Sequence, residues 1–240
     1  MKQRIWELDA MRGICILGMV FVHLFYDLTI LYSVVELKDP TLFNFLRDWG
    51  AVPFFLISGI CATLGSRPVR RGLMVLGGGL IVTAVTVGMY FLNFSEKNII
   101  IYFGVLHCLG LCMMLWPLFR KLPTWLLAIL GWAIIFGGLH LVQHPRVDFP
   151  WLLPLGIYPY DFASSDYFPL LPNLGYFLLG AVLGKTLYRR KKSLLPWSGT
   201  DPISAFFRFC GKHSLLIYLL HQPLTVGLIQ LFFILKKGSL

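Results

Sequence analysis

Seven apolar runs, near residues 13–34, 49–66, 72–94, 99–118, 124–142, 174–188 and 212–235, leave this chain few ways to fold. A span needs about 20 residues at about 1.5 Å each to cross roughly 30 Å of hydrocarbon, and the runs match that need. Composition agrees, since 57% of the residues are AVILMFWYC and 13% are charged, against roughly 25% charged in soluble domains. A water-soluble fold of this size has too little interior to hide so much apolar surface. In lipid the backbone must satisfy its own hydrogen bonds, so the spans are expected to be helices. The expectation is an all-α polytopic membrane protein, one domain over residues 1–240, with about seven transmembrane helices. The first run is too long for a signal-peptide core and lacks an A-x-A cleavage pattern, so it is expected to stay in the mature protein.

Lysine and arginine set the expected orientation. With the N-terminus in the cytoplasm, fifteen of the 21 basic residues fall inside, which the positive-inside rule favours and which sends the C-terminus outside. The net charge of +10 is scattered between apolar runs rather than gathered on one face, so nucleic acid is not an expected partner. Five cysteines lie in or beside apolar runs with no CxxC spacing and read as reduced packing residues. The long connection 143–173, rich in proline and aromatic residues, is expected to fold back as a re-entrant or interfacial segment on the outer side. Gly180 and Gly184, and the run Gly77-Gly78-Gly79, are expected to let helices approach closely.

Ionisable residues inside apolar runs are the first candidates for a site, because a charge at mid-bilayer costs at least about 2.5–3.5 kcal/mol. His23, Asp27, His107 and His221 stand out. Counted from the membrane edge, His23 lies about 15 Å deep and His221 about 12 Å deep, with His107 near the same level. One polar layer containing all three imidazoles is therefore expected. His23 and Asp27 are four residues apart on one helix face, where the carboxylate can hold one ring nitrogen and leave the other as a base. The bland reading of that pair is an interhelical polar clasp. Ser58 reads as a residue bonded to its own helix, and the HxxxH spacing of His140 and His144 lacks a third ligand, so no metal is expected. Arg12, Arg70, Arg71, Lys212 and His213 fall on the cytoplasmic side, where they could take phosphates or simply fix topology.

The segments RIWELDAMRGICILGMVFVHLFYDL (4–28), FFLISGI (54–60), RRGL (70–73), YFGVLHCLGL (102–111), DYFPLLPNLGYFLLGAVLG (166–184) and GKHSLLIYLLHQPL (211–224) carry a resemblance over nearly the whole chain. It resembles the catalytic-domain family of heparan-α-glucosaminide N-acetyltransferase, in its short bacterial form. That resemblance implies transfer of acetyl from cytosolic acetyl-CoA to an amino or hydroxyl group of an extracytoplasmic sugar or glycan. It also implies residence in a bacterial inner membrane. Expected partners are acetyl-CoA, the glycan, the bilayer and a further copy of the chain.

On this reading His23, oriented by Asp27, is the base, while His107 and His221 complete the polar centre and help stabilise the oxyanion. Arg12, Arg70, Arg71, Lys212 and His213 hold the donor phosphates. Asp161 and Asp166 bind the acceptor or cap their loop. The chain departs from the lysosomal enzyme at His23, where that enzyme carries an amide, and has no histidine between Thr29 and Arg47. A direct attack and a route through acetyl-histidine both remain open. The rival from another class is a proton-coupled carrier for a small anion or sugar, which uses the same kind of His/Asp relay.

Overall fold

The computed structural model describes residues 5–32, 34–36, 39–93, 97–143, 147, 150–196 and 199–237. His144 and the basic residues Lys2, Arg4, Lys38 and Arg146 lie outside them. Among the described residues the chain is all-α. The helices are α1 (Trp6–Tyr26), α2 (Thr41–Trp49), α3 (Val52–Leu64), α4 (Pro68–Phe91), α5 (Val105–Phe119), α6 (Thr124–Gln143), α7 (Leu170–Thr186), α8 (Pro202–Lys212) and α9 (Ser214–Lys237). Helix α1 runs on into a π-helical turn, Asp27–Leu31, in which the Tyr32 N–H reaches back to the Asp27 carbonyl at 2.9 Å.

Four stretches are long and apolar enough to cross a membrane: Trp6–Thr29, Thr41–Leu64, Pro68–Phe91 and Ser214–Leu235. Val105–Phe119 and Thr124–His140 are also apolar but shorter. All seven apolar runs therefore contain helix, and among the described residues four stretches meet the length and composition of a span. The side chains facing out of α4 and α9, such as Leu73, Met74, Ile81, Leu228 and Phe232, are large, apolar and exposed, as a lipid-facing surface requires.

Two compact units make up the chain. Val52–Leu194 forms one, in which α7 packs against α3 and α6, and α4 packs against α5. Its core is built on Phe55, Phe177, Leu178, Leu127 and the thiols of Cys108 and Cys112. All five cysteines of the chain are free thiols. The described residues of Lys2–Ala51 and Leu195–Leu240 form the other unit, where α1 packs against α8 and α9.

Helix starts follow local chemistry. Pro68 and Pro202 open α4 and α8, where the missing N–H costs nothing. Asp201 caps α8, its Oδ1 accepting from the Ser204 N–H at 2.9 Å. That backbone donor, more than any other influence, holds the Asp201 carboxyl below its ordinary range.

Small residues set the helix contacts. A Cβ on Gly180 would strike the Leu56 carbonyl and one on Gly184 the Thr63 hydroxyl, so the expected close approach is present between α7 and α3. In the triple-glycine run, Gly79 packs on the His107 ring, with 2.9 Å from its ideal Cβ position to Nδ1, whereas Gly77 faces open space.

The α1–α8 contact is the tightest. A Cβ on Gly13 would collide with the Phe207 carbonyl, and one on Gly211 with the Asp9 carbonyl. Backbone cannot yield as a side-chain tip does, so Gly13→Ala is expected to cost at least the overpacking penalty of about 1–3 kcal/mol. Gly18→Ala, in the same helix with nothing near its Cβ position, should be neutral or stabilising by up to about 1 kcal/mol. Thermal unfolding of both variants in detergent checks the contrast.

Candidate functional site

Helix α9 presents Tyr218, His221, Gln222 and Thr225 at i, i+3, i+4 and i+7, which is one helix face. Helix α1 presents His23 and, four residues on, Asp27. Within the second unit these faces meet. The His23 and His221 rings lie 5.0 Å apart between centroids and cross at 85°, edge to face. Two of the three imidazoles expected in one layer are thus in contact.

Asp27 is 1% exposed and His221 8% exposed, so their polar atoms must be satisfied by protein. The amide nitrogen of Gln222 donates to Asp27 Oδ1 at 3.0 Å and to Oδ2 at 3.1 Å. The Thr225 hydroxyl lies 3.4 Å from Oδ2 and 3.1 Å from the Gln222 carbonyl. The carboxylate that i,i+4 spacing offers to His23 is instead held across the helix interface by Gln222. Nothing in α1 alone reveals that, because the two partners are 195 residues apart. The polar residues of the HQPLT stretch were the available signal, and Gln222 and Thr225 are the residues that sequence reasoning missed.

His221 Nδ1 lies 2.6 Å from the Tyr218 carbonyl oxygen. A carbonyl only accepts, so Nδ1 carries the proton and Nε2 holds a lone pair. Among the described residues that Nε2 is buried with no hydrogen-bond partner, and so is Gln222 Oε1. Pro223 follows directly and has no N–H to give to the helix ladder.

His107 belongs to the other unit and to different chemistry. It sits in the first turn of α5, where the Gly104 N–H donates to its Nδ1 at 3.2 Å. Thr83 donates its hydroxyl proton to the Ile101 carbonyl at 2.6 Å and so receives from His107 Nε2 at 3.2 Å. Both ring nitrogens are engaged, in closing a helix start.

Asp166 joins the same place, its Oδ2 accepting from the Val105 N–H at 3.3 Å. The described part of the 143–173 connection is folded against the start of α5. Ser164 donates to the Ile100 carbonyl at 2.8 Å, and the Phe168 N–H to the Phe103 carbonyl at 3.0 Å. Tyr167 donates to the Leu153 carbonyl at 2.6 Å, and burial pushes its phenol above the ordinary value, which keeps it a donor. Asp161 is exposed in the turn at the tip of this segment.

The basic residues separate in the same way. In the first unit Arg70 and Arg71 are exposed in the first turn of α4, and the Arg71 guanidinium covers Gly65, with Nη1 2.7 Å from its ideal Cβ position. A cavity of about 620 Å³ adjoins them, lined by Gly65, Ser66, Pro68, Trp116, Arg120, Lys121 and Lys185 among others, with no carboxylate in its wall. Lys185 is already committed, donating to the Arg120 and Leu122 carbonyls at 2.9 and 2.8 Å. In the second unit Arg12 pairs with Asp9 at 3.1 Å, while Lys212 and His213 are exposed at the end of α8. Arg120 and Lys121 therefore join the candidate anion-binding residues.

The proton positions on His221 are directly testable. In protein labelled with ¹⁵N-histidine, the His221 ring should show a protonated Nδ1 and a bare Nε2, and Tyr218→Phe, which leaves the carbonyl in place, should not change this. A ring protonated on Nε2 would contradict the assignment.

Comparison with known proteins places the geometry in a family. No curated protein and no solved structure matches the chain significantly. The family model described as "Heparan-alpha-glucosaminide N-acetyltransferase, catalytic" matches residues 4–223, a stretch that contains α1, both histidines of the α1–α9 pair, Gln222 and the basic cavity. The chain belongs to the heparan-alpha-glucosaminide N-acetyltransferase catalytic family, a family of acetyltransferase type.

Proposed function

We propose that this protein is a membrane-embedded acetyltransferase that moves an acetyl group from cytosolic acetyl-CoA to an amino or hydroxyl group of an extracytoplasmic sugar or glycan. The observation that carries the reading is the buried, unpartnered Nε2 of His221 beside a second imidazole. A lone pair held inside a span without a partner is costly unless it meets one during function. Family membership supplies the acetyl chemistry.

In this mechanism His221, rather than His23, is the base. Its Nε2 takes a proton from the acceptor as the acceptor nitrogen or oxygen attacks the thioester carbonyl carbon. The new C–N or C–O bond forms, the C–S bond breaks, and the proton passes to the departing sulfur as CoA–SH. His23 lies against the His221 ring and is suited to stabilise the developing oxyanion. Asp27 positions Gln222, and His107 is structural. The carboxylate-free basic cavity supports the donor assignment independently, since it suits a phosphate-rich ligand. The charge bias assigns its Arg120, Lys121 and Lys185 to the cytoplasmic side. Asp161, exposed at the tip of the outer segment, is the better of the two acids for touching an acceptor. The same charge bias supports an inner-membrane protein with its N-terminus in the cytoplasm and its C-terminus outside.

Purified protein in nanodiscs, given acetyl-CoA and a panel of amino sugars, should release free CoA thiol in step with acetylated product. His221→Ala is expected to lower kcat about 10²- to 10⁴-fold, the usual contribution of a positioned acid/base group, with the KM for acetyl-CoA little changed. Absence of thiol release, together with sugar or anion uptake into liposomes driven by a pH gradient, would instead make the protein a proton-coupled carrier.

A further inference from the structure

Helix α8 is too short to cross a membrane: its 11 residues, at about 1.5 Å each, reach roughly half of a 30 Å hydrocarbon layer. It nevertheless leads, through a one-residue corner at His213, straight into α9, whose Ser214–Leu235 stretch is long and apolar enough to span. The sides of α8 divide three ways. The backbone at Phe207 and Gly211 lies against Gly13 and Asp9 of α1. Ile203, Phe206 and Phe209, three residues apart, form an exposed apolar stripe. Arg208 and Lys212, four residues apart, form a basic flank, and at about 3.6 residues per turn it lies on the opposite side of the helix from Phe206.

No acid within α8 neutralises that flank. Asp201 caps the other end of the helix, and Asp9 on α1 pairs with Arg12 at 3.1 Å. Among the described residues Arg208 Nε is buried without a hydrogen-bond partner, and Lys212 is exposed. Helix α2 marks the contrast, since it too exposes Leu42, Phe45 and Trp49, but its Arg47 pairs with its Asp48 at 2.9 Å and it carries no net charge. A helix with an apolar stripe on one side and uncompensated cations on the other is built for an anionic membrane surface. We infer that α8 lies in the membrane plane and docks on anionic phospholipid, with Ile203, Phe206 and Phe209 among the acyl chains and Arg208 and Lys212 on the headgroup phosphates. This goes beyond the acetyl-transfer reading and does not rest on it. Because α8 is held on α1 backbone to backbone and runs on into α9, headgroups that hold α8 also hold the two helices that carry His23 and His221.

The test uses the full chain in nanodiscs of equal parts phosphatidylglycerol and phosphatidylcholine, with the photocrosslinker p-benzoylphenylalanine in place of Phe206. The same probe in place of Phe45 on the uncharged α2 serves as the reference. After irradiation, the masses of the adducts identify what lies against each position. The probe at 206 should capture lipid, with an excess of phosphatidylglycerol over phosphatidylcholine that the probe at 45 does not show. Lys212→Gln and Arg208→Gln should each lower that excess about fivefold, the usual contribution of one basic residue near an anionic surface. Lys212→Arg should retain it, and raising the salt should weaken it, because exposed charges are screened. The readout is a ratio of adducts, so partial loss of folded protein does not alter it, and the exposed Lys212 decides the matter if Arg208→Gln does not fold.

Lipid adducts at 206 with no more phosphatidylglycerol than at 45, or an excess that Lys212→Gln leaves unchanged, overturn the inference. So does capture of a second copy of the chain, which would make the stripe an interface between copies, and so does the absence of any adduct, which would leave the stripe in water. None of these outcomes bears on acetyl transfer, which the release of CoA thiol tests separately.

Discussion

Inside hydrocarbon, a polar atom that finds no partner in the protein has no water to fall back on, and this constraint organises the second unit more than any single contact. Asp27 is nearly inaccessible, so an element distant in sequence must supply donors, and α9 does so through Gln222 and Thr225. That obligation fixes how α9 faces α1, and the facing in turn brings His221 against His23. The chemistry proposed for the site is thus a by-product of a satisfied carboxylate. His107 obeys the same constraint to the opposite end, since both its nitrogens are spent on helix closure and Thr83.

Much of the architecture could be read from periodicity and composition. Apolar runs locate the helices because lipid leaves the backbone no alternative, and each run contains helix. The number of spans is less legible: the apolar stretches Val105–Phe119 and Thr124–His140 are short, and residue counts say little about a helix that ends beside other protein. The folding-back of the proline-rich connection could be foreseen in kind, while its attachment through Ser164, Asp166 and Phe168 to the start of α5 could not, because those bonds join residues some sixty positions apart.

The site was legible as a set of suspects rather than as an arrangement. Depth counting selects His23, His221 and Asp27, since ionisable residues in a span are costly whatever surrounds them. Which nitrogen each imidazole leaves bare depends on carbonyls and hydroxyls that a sequence does not position, and for that reason the base we propose is His221 rather than His23. Gln222 escaped notice because a neutral amide carries no insertion penalty comparable with that of a charge. Arg120 and Lys121 escaped because basic residues at turn positions resemble topology signals until a cavity wall shows them side by side.

The π-helical turn that starts at Asp27 has a consequence for how α1 can vary. Such a turn accommodates one surplus residue, so the helix before it and the chain after it follow different angular phases. His23 and Asp27 address the polar face of α9, whereas Tyr32, just past the turn, stacks on Phe233 with ring centroids 5.8 Å apart. The widened turn acts as a swivel between a chemical half and a packing half of one rod. A lineage that gained or lost one residue there would re-aim everything downstream and leave the imidazole pair untouched, which makes this the place where the segment after α1 is free to diversify.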